Sequence, residues 1–132
     1  MATKTPRGSY VDGFVFSVPK KNVEAYKKMA KEGAEAWLKF GALDYKECMG
    51  EDLKVKKTPG MPAPLSFTKL TGAKASDTVW FSFITFKSRA HRDQVNKKVM
   101  AYFDKKYADQ KDFVMPFDPA RMSYGGFSVE VS

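Results

Sequence analysis

Thr78-Val-Trp-Phe-Ser-Phe-Ile-Thr-Phe86 is the stretch that decides the fold. It is dense in β-branched and aromatic residues, which suit a pleated strand. A period of two puts Trp80, Ser82, Ile84 and Phe86 on one side and Val79, Phe81, Phe83 and Thr85 on the other. Both sides are largely apolar, so the segment reads as a central strand covered on both faces. Residues 10–18 (YVDGFVFSV) repeat the pattern, with Tyr10, Asp12, Phe14, Phe16 and Val18 on one face and Val11, Gly13, Val15 and Ser17 on the other. Pro19 ends that strand, because proline has no donor for the ladder.

Around these strands the periodicity changes. Over residues 22–40, Val23, Tyr26, Ala30, Ala34, Trp37 and Leu38 recur at helical spacing, and Gly41 is a C-terminal stop. Residues 42–50 alternate as a second strand. Residues 51–76 carry Pro59, Gly60, Pro62, Pro64 and Gly72 and read as a long loop, within which Leu65, Phe67 and Leu70 alternate as in a short edge strand. Ser88 is an N-cap for a second helix reaching about residues 102–106, with Val95, Val99, Met100 and Phe103 as its inner stripe. Residues 107–119 are irregular, and residues 122–131 form the last strand. The order is strand, helix, strand, strand, helix, strand. It predicts an α+β fold of ferredoxin-like βαββαβ plan: a four-stranded antiparallel sheet with two helices on one face. Helices then shelter only one side of strands that are apolar on both. A second copy of the chain is the expected cover for the other side, giving a homodimer through the sheet face.

Composition narrows the function. The chain has 132 residues, 43% of them apolar, which suits one domain over residues 10–132 behind a polar tail at 1–9. The start lacks the apolar core of a secretory signal, and no run reaches the ~18 apolar residues of a membrane helix. No membrane association is expected. Cys48 is the only cysteine and His91 the only histidine, so no disulfide, no metal site and no cofactor are expected, as suits a reducing cytoplasm. The net charge of +8 is interspersed with Asp and Glu, as on a solvated surface, and nucleic acid is not the expected partner.

Tyr10-Val-Asp-Gly-Phe-Val15, Val18-Pro19, Ala25-Tyr-Lys-Lys-Met-Ala30, Gly41-Ala-Leu-Asp-Tyr45, Phe86-Lys-Ser-Arg-Ala90, Arg92-Asp93, Val95-Asn96, Lys98-Val-Met100 and the region from Met115-Pro-Phe-Asp118 to Phe127 resemble the YbaA-like bacterial proteins. The likeness covers nearly all of residues 10–131. That family is a domain of unknown function in the dimeric α/β-barrel superfamily. The resemblance therefore implies two ferredoxin-like protomers pressed sheet to sheet as a barrel, and it brings no catalytic residue. His91 stands where the family typically has Glu, and the polar start is longer than usual. Superfamily relatives include cofactor-free monooxygenases, haem enzymes and isomerases, which is analogy at the level of fold alone.

Several residues invite chemistry. Asp12 sits mid-strand among apolar neighbours and needs a partner or a raised pKa. Arg92, Arg121 and Arg89 are its candidate partners; the pair either anchors strand to helix or serves as a general base with a polar anchor. Arg121 and Tyr124, with Gly125 and Gly126, form a constellation suited to an anion or enolate oxygen. The plainer reading is that the glycines relieve crowding. Asp12, Arg92, Arg121 and Tyr124 are thus the catalytic candidates. Phe14, Trp37, Trp80 and Met115, with Gly125 and Gly126, are the ligand-lining candidates, though aromatic stripes also build cores. His91 reads as a capping or surface residue, and Cys48 as a small buried apolar group. The function expected is a small organic molecule bound, and open to being transformed, in an internal pocket. The alternatives are an RNA-binding ferredoxin-like domain, favoured by charge and by a faint aromatic-platform echo at residues 123–129, and a non-catalytic structural or stress-related dimer.

Overall fold

The computed structural model describes residues 8–110 and 113–132. The tail expected at residues 1–9 therefore falls mostly outside the described residues. Strand β1 (Tyr10–Pro19) leads through a 3-10 turn at Lys20–Asn22 into α1 (Val23–Lys39). β2 (Asp44–Met49) follows, then a short α2 (Phe67–Thr71), β3 (Asp77–Phe86), α3 (Arg89–Lys106), a 3-10 turn at Pro119–Arg121 and β4 (Ser123–Ser128). The four strands form one sheet in the order β2-β3-β1-β4, with every neighbouring pair antiparallel. The two longest strands are central, so the edges are the short β2 and β4, and short edges limit pairing with other chains.

Register sets which side chains meet. Phe16 pairs with Trp80, Phe14 with Ser82, Asp12 with Ile84 and Tyr10 with Phe86. This face is the covered one: Phe16, Val18, Trp80, Ile84 and Phe86 are buried against Tyr26, Ala30 and Ala36 of α1 and Val95 and Val99 of α3. Each large apolar side chain fully buried there stabilises the fold by about 1.5–3 kcal/mol. On α1 the inner edge is Tyr26, Ala30, Gly33 and Ala36, so the expected stripe is turned: Leu38 is exposed and Ala34 only partly covered. On α3, Met100 likewise faces outward.

The opposite face is open apart from Val79, which is buried near the start of β3. Val11, Val15 and Phe83 are half-buried, while Phe81 is 46% and Phe127 62% exposed. Cys48 pairs with Phe81 on this side of the short edge strand and is exposed, contrary to the buried position expected of it, because α1 and α3 pack on the other side. α2 is a second departure. Leu65, Phe67 and Leu70 do not make an edge strand. Ser66 caps a helical turn by accepting from the Lys69 amide at 3.1 Å, and Gly72 closes it at φ 65°. Phe67 and Leu70 remain exposed on it. The predicted ends of α1 and α3 were well marked. Gly41 takes φ 118° after α1, and the Ser88 hydroxyl accepts from the His91 amide at 3.0 Å at the start of α3.

The double glycine in β4 divides by face. A Cβ on Gly126 would lie 2.1 Å from the Tyr10 phenol oxygen, so the Tyr10 ring occupies the space a side chain would need. A Cβ on Gly125 meets only the Phe127 ring at 4.0 Å. Gly126→Ala is therefore expected to destabilise the fold by about 1–3 kcal/mol through overpacking. In a Tyr10→Ala background the same change should be nearly neutral. Chemical denaturation of the four proteins of this cycle checks it; equal effects in both backgrounds would refute the clash.

Candidate functional site

A cavity of about 600 Å³ lies between the helix-facing side of the sheet and the elements packed on it. Its apolar wall comes from Phe14 of β1, Met29 and Trp37 of α1, Ile84 of β3, Phe103 of α3 and Phe117 of the segment before β4. The polar lining falls into two sets. One is Glu47, Tyr26, Tyr45 and Ser82; the other holds Glu32, Tyr107, Lys28 and Gln110.

The first set follows from alternation in β2 and its register with β3. Tyr45 lies opposite Ile84 and Glu47 opposite Ser82, so both project toward the helices. α1 contributes Tyr26 from one turn before Ala30. Its phenol donates to Glu47 Oε1 at 2.8 Å, and the Tyr45 phenol donates to Glu47 Oε2 at 2.7 Å. Burial pushes the Glu47 carboxyl above its ordinary value, against the lowering effect of hydrogen bonds from Tyr45, Tyr26 and Ser82. Both phenols are raised as well, first by burial and then by the charge of Glu47. Among the described residues no lysine, arginine or histidine pairs with Glu47. In the second set, the Tyr107 phenol donates to Glu32 Oε1, and Lys106 Nζ lies 3.0 Å from the same oxygen. The Tyr107 hydrogen bond, then that of Lys106, holds Glu32 below the ordinary carboxylate range.

Asp12 is buried, and Arg92 of α3 donates to its Oδ1 at 2.7 Å. Burial outweighs the arginine, and the Asp12 carboxyl is raised. The Arg92 guanidinium also donates to Asp93 at 2.7 Å and lies 5.1 Å from the centre of the Tyr10 ring. Asn96 of α3 accepts from Trp37 Nε1 at 2.9 Å, and its side chain favours the ionised form of Asp12. This chain ties β1, α3 and the cavity wall together, the strand-to-helix arrangement that an Asp–Arg pair mid-strand implies.

The remaining candidates are dispersed. Arg121 is exposed and donates to the Gly72 carbonyl at 2.9 Å, away from Asp12 and outside the cavity lining. Tyr124 is 75% exposed on the edge strand and stacks on Phe14 at 5.9 Å. Phe14 and Trp37 line the cavity, whereas Trp80 lines a neighbouring depression and donates to Thr78 Oγ1 at 2.8 Å. Met115, Gly125 and Gly126 do not border the cavity, and Arg89 is exposed at the start of α3. His91 Nδ1 accepts from the Lys87 amide at 2.9 Å, a local cap. No group of three metal-ligating side chains exists among the described residues, and no described helix is long and apolar enough to cross a membrane.

Glu47 and Tyr45 are the residues that sequence reasoning passed over. The signal was available: a carboxylate at the centre of an otherwise apolar alternating face, Leu43, Tyr45, Glu47 and Met49. It was weak because an edge strand tolerates a charge on either face.

Comparison with known proteins fits this frame. Residues 9–119 match the family described as "Protein of unknown function (DUF1428)". The uncharacterized protein YbaA of Escherichia coli strain K12 is 37% identical over 118 residues, spanning 89% of this chain and 93% of the relative. The same identity and coverage hold for YbaA of Shigella flexneri.

Because the folded state holds the Glu47 proton more tightly than the unfolded chain, this group favours folding at low pH. The benefit is lost as pH rises from the ordinary value of 4.5 through the raised folded value. Glu47→Gln lacks that loss. The difference in Tm, variant minus wild type, should therefore become more positive between about pH 4 and pH 7, as differential scanning calorimetry would measure. A difference that falls with pH would contradict the assignment.

Proposed function

The chain belongs to the DUF1428 family, and within it we propose that this protein is a ferredoxin-like, homodimeric α/β barrel that binds a small organic molecule in the cavity beneath its helices. The observation that carries the ligand half of this reading is Gly33. It sits in the middle of α1 and lines the cavity. Glycine there is less favourable than alanine by about 0.5–1 kcal/mol. Sterics do not require it: a Cβ would meet the Tyr45 phenol oxygen at 3.4 Å and Trp37 at 3.6 Å, ordinary contact distances. Leaving it bare keeps the cavity wide at a standing expense in helix stability. The volume of about 600 Å³ lies within the ~300–1,000 Å³ of small-molecule sites.

The dimer half rests on the helix-free face. The order β2-β3-β1-β4 is the one the ferredoxin-like plan requires. Val11, Val15, Phe81, Phe83 and Phe127 give that face an apolar surface; the Phe127 ring lies beside Gly13, and Gly125 opposite it leaves bare backbone on β4. Gly125 has no crowding neighbour within its own subunit to account for it. Close approach of a second sheet accounts for both the bare backbone and the exposed rings.

Native mass spectrometry of freshly purified protein tests both halves, and the expected spectrum is a dimer carrying a small-molecule adduct. Phe81→Lys should yield a folded monomer by light scattering, since Phe81 faces away from the core. A wild type that stays monomeric and folded at micromolar concentration overturns the dimer. Gly33→Ala should gain about 0.5–1 kcal/mol in urea denaturation. Gly33→Leu should fill the cavity and lose the adduct, and retention of the adduct would count against this cavity.

A further inference from the structure

We infer that the ligand of this cavity is an organic cation, an amine with an apolar body whose ammonium sits on Glu47. This rests on the reading of the cavity as a small-molecule site and adds the ligand's chemical class.

The inference comes from counting hydrogens. A phenol has one donor hydrogen and two acceptor lone pairs, and an ionised carboxylate has acceptors only. The Tyr26 and Tyr45 hydrogens both point at Glu47, at 2.8 and 2.7 Å. Ser82 lies directly across the β2–β3 ladder, where its hydroxyl favours the ionised carboxylate. What this group leaves for a ligand is lone pairs: the remaining acceptor sites of Glu47 and those of the two phenols. At Glu47 that leaves no donor for a carboxylate or a phosphate; the cavity's own lysine, Lys28, acts on Glu32 in the other polar set. The Glu47 set suits a group made of donors, and an ammonium carries three.

Charge leads to the same class. The other carboxylates on the helix-facing side have cations: Asp12 has Arg92, and Glu32 has Lys106. Glu47, partly buried, has none among the described residues. A carboxylate withdrawn from water without a counter-ion is unfavourable, and a bound cation supplies one. Tyr26, Tyr45 and Trp37 surround the site, with Trp37 and Tyr45 ring centres 6.0 Å apart. Aromatic faces attract ammonium groups, more strongly where water is excluded. Phe14, Met29 and Phe103 supply the apolar wall for the body of the amine.

Three probes of one shape decide the matter by calorimetric titration: 3-phenylpropylamine, 3-phenylpropan-1-ol and 3-phenylpropionate. Wild type is expected to bind the amine at least tenfold more tightly than the alcohol, and the carboxylate least. Glu47→Gln should lose at least tenfold for the amine and keep the alcohol within about threefold, since the substitution removes the charge pair and leaves the apolar contacts in place. Tyr26→Phe, which keeps the carboxylate, should retain amine preference. If Glu47→Gln fails to fold, the wild-type preference series decides alone. Equal binding of amine and alcohol, or preference for the carboxylate, overturns the cation while leaving the small-molecule site standing. Failure of all three to bind at millimolar concentration overturns both.

Discussion

A β-strand has two sides, and this molecule has helices for one. Everything else in the architecture answers to that constraint. β1 and β3 carry large apolar side chains on both faces, and α1 and α3 shelter Phe16, Trp80, Ile84 and Phe86. Phe81 and Phe127 are left in the open. The hydrophobic effect is proportional to area withdrawn from water, so the open face remains a source of unrealised stabilisation until something covers it. The cavity lies on the covered side, between the sheet and the helices packed on it.

The covered side is held by polar groups as well as by packing. Asp12 and Arg92 bridge β1 to α3, and Asn96 of α3 accepts from Trp37 on α1. Glu47 joins β2 to α1 through Tyr26. The two carboxylates differ in one respect: Asp12 meets a guanidinium, and Glu47 meets only hydroxyl groups. A buried carboxylate with a fixed cation is a structural clamp, whereas one held by neutral donors keeps its charge available. That difference is the physical basis for seeing structure in the first and recognition in the second.

The double glycine shows how two adjacent residues of one type can serve separate purposes. Alternation sends Gly126 toward the helices, where the Tyr10 ring fills the space beside it, and Gly125 toward the open face, where nothing in its own subunit crowds it. From the chain alone the pair looks like one feature. Arg121 and Tyr124 looked like its partners for the same reason, proximity in sequence. In space Arg121 turns away to the Gly72 carbonyl.

The amino-acid sequence by itself determined the strands, the two long helices, their caps and the two-sidedness of the sheet. Those properties follow from periods of two and 3.6 and from local hydrogen bonds at Ser88 and backbone freedom at Gly41, which need no distant partner. Its lapses were local as well: a capped turn at Ser66 hid within an alternating stretch, the stripe of α1 was turned, and on α3 Met100 fell outside a stripe that otherwise held at Val95, Val99 and Phe103. Only the tertiary structure decided that Tyr26, Tyr45 and Glu47 share one cluster, and that Arg121 shares none with Asp12. Those side chains come from separate elements, and what unites them is strand register and the seating of α1 on the sheet, quantities set by packing across the whole molecule and not by any neighbour along the chain.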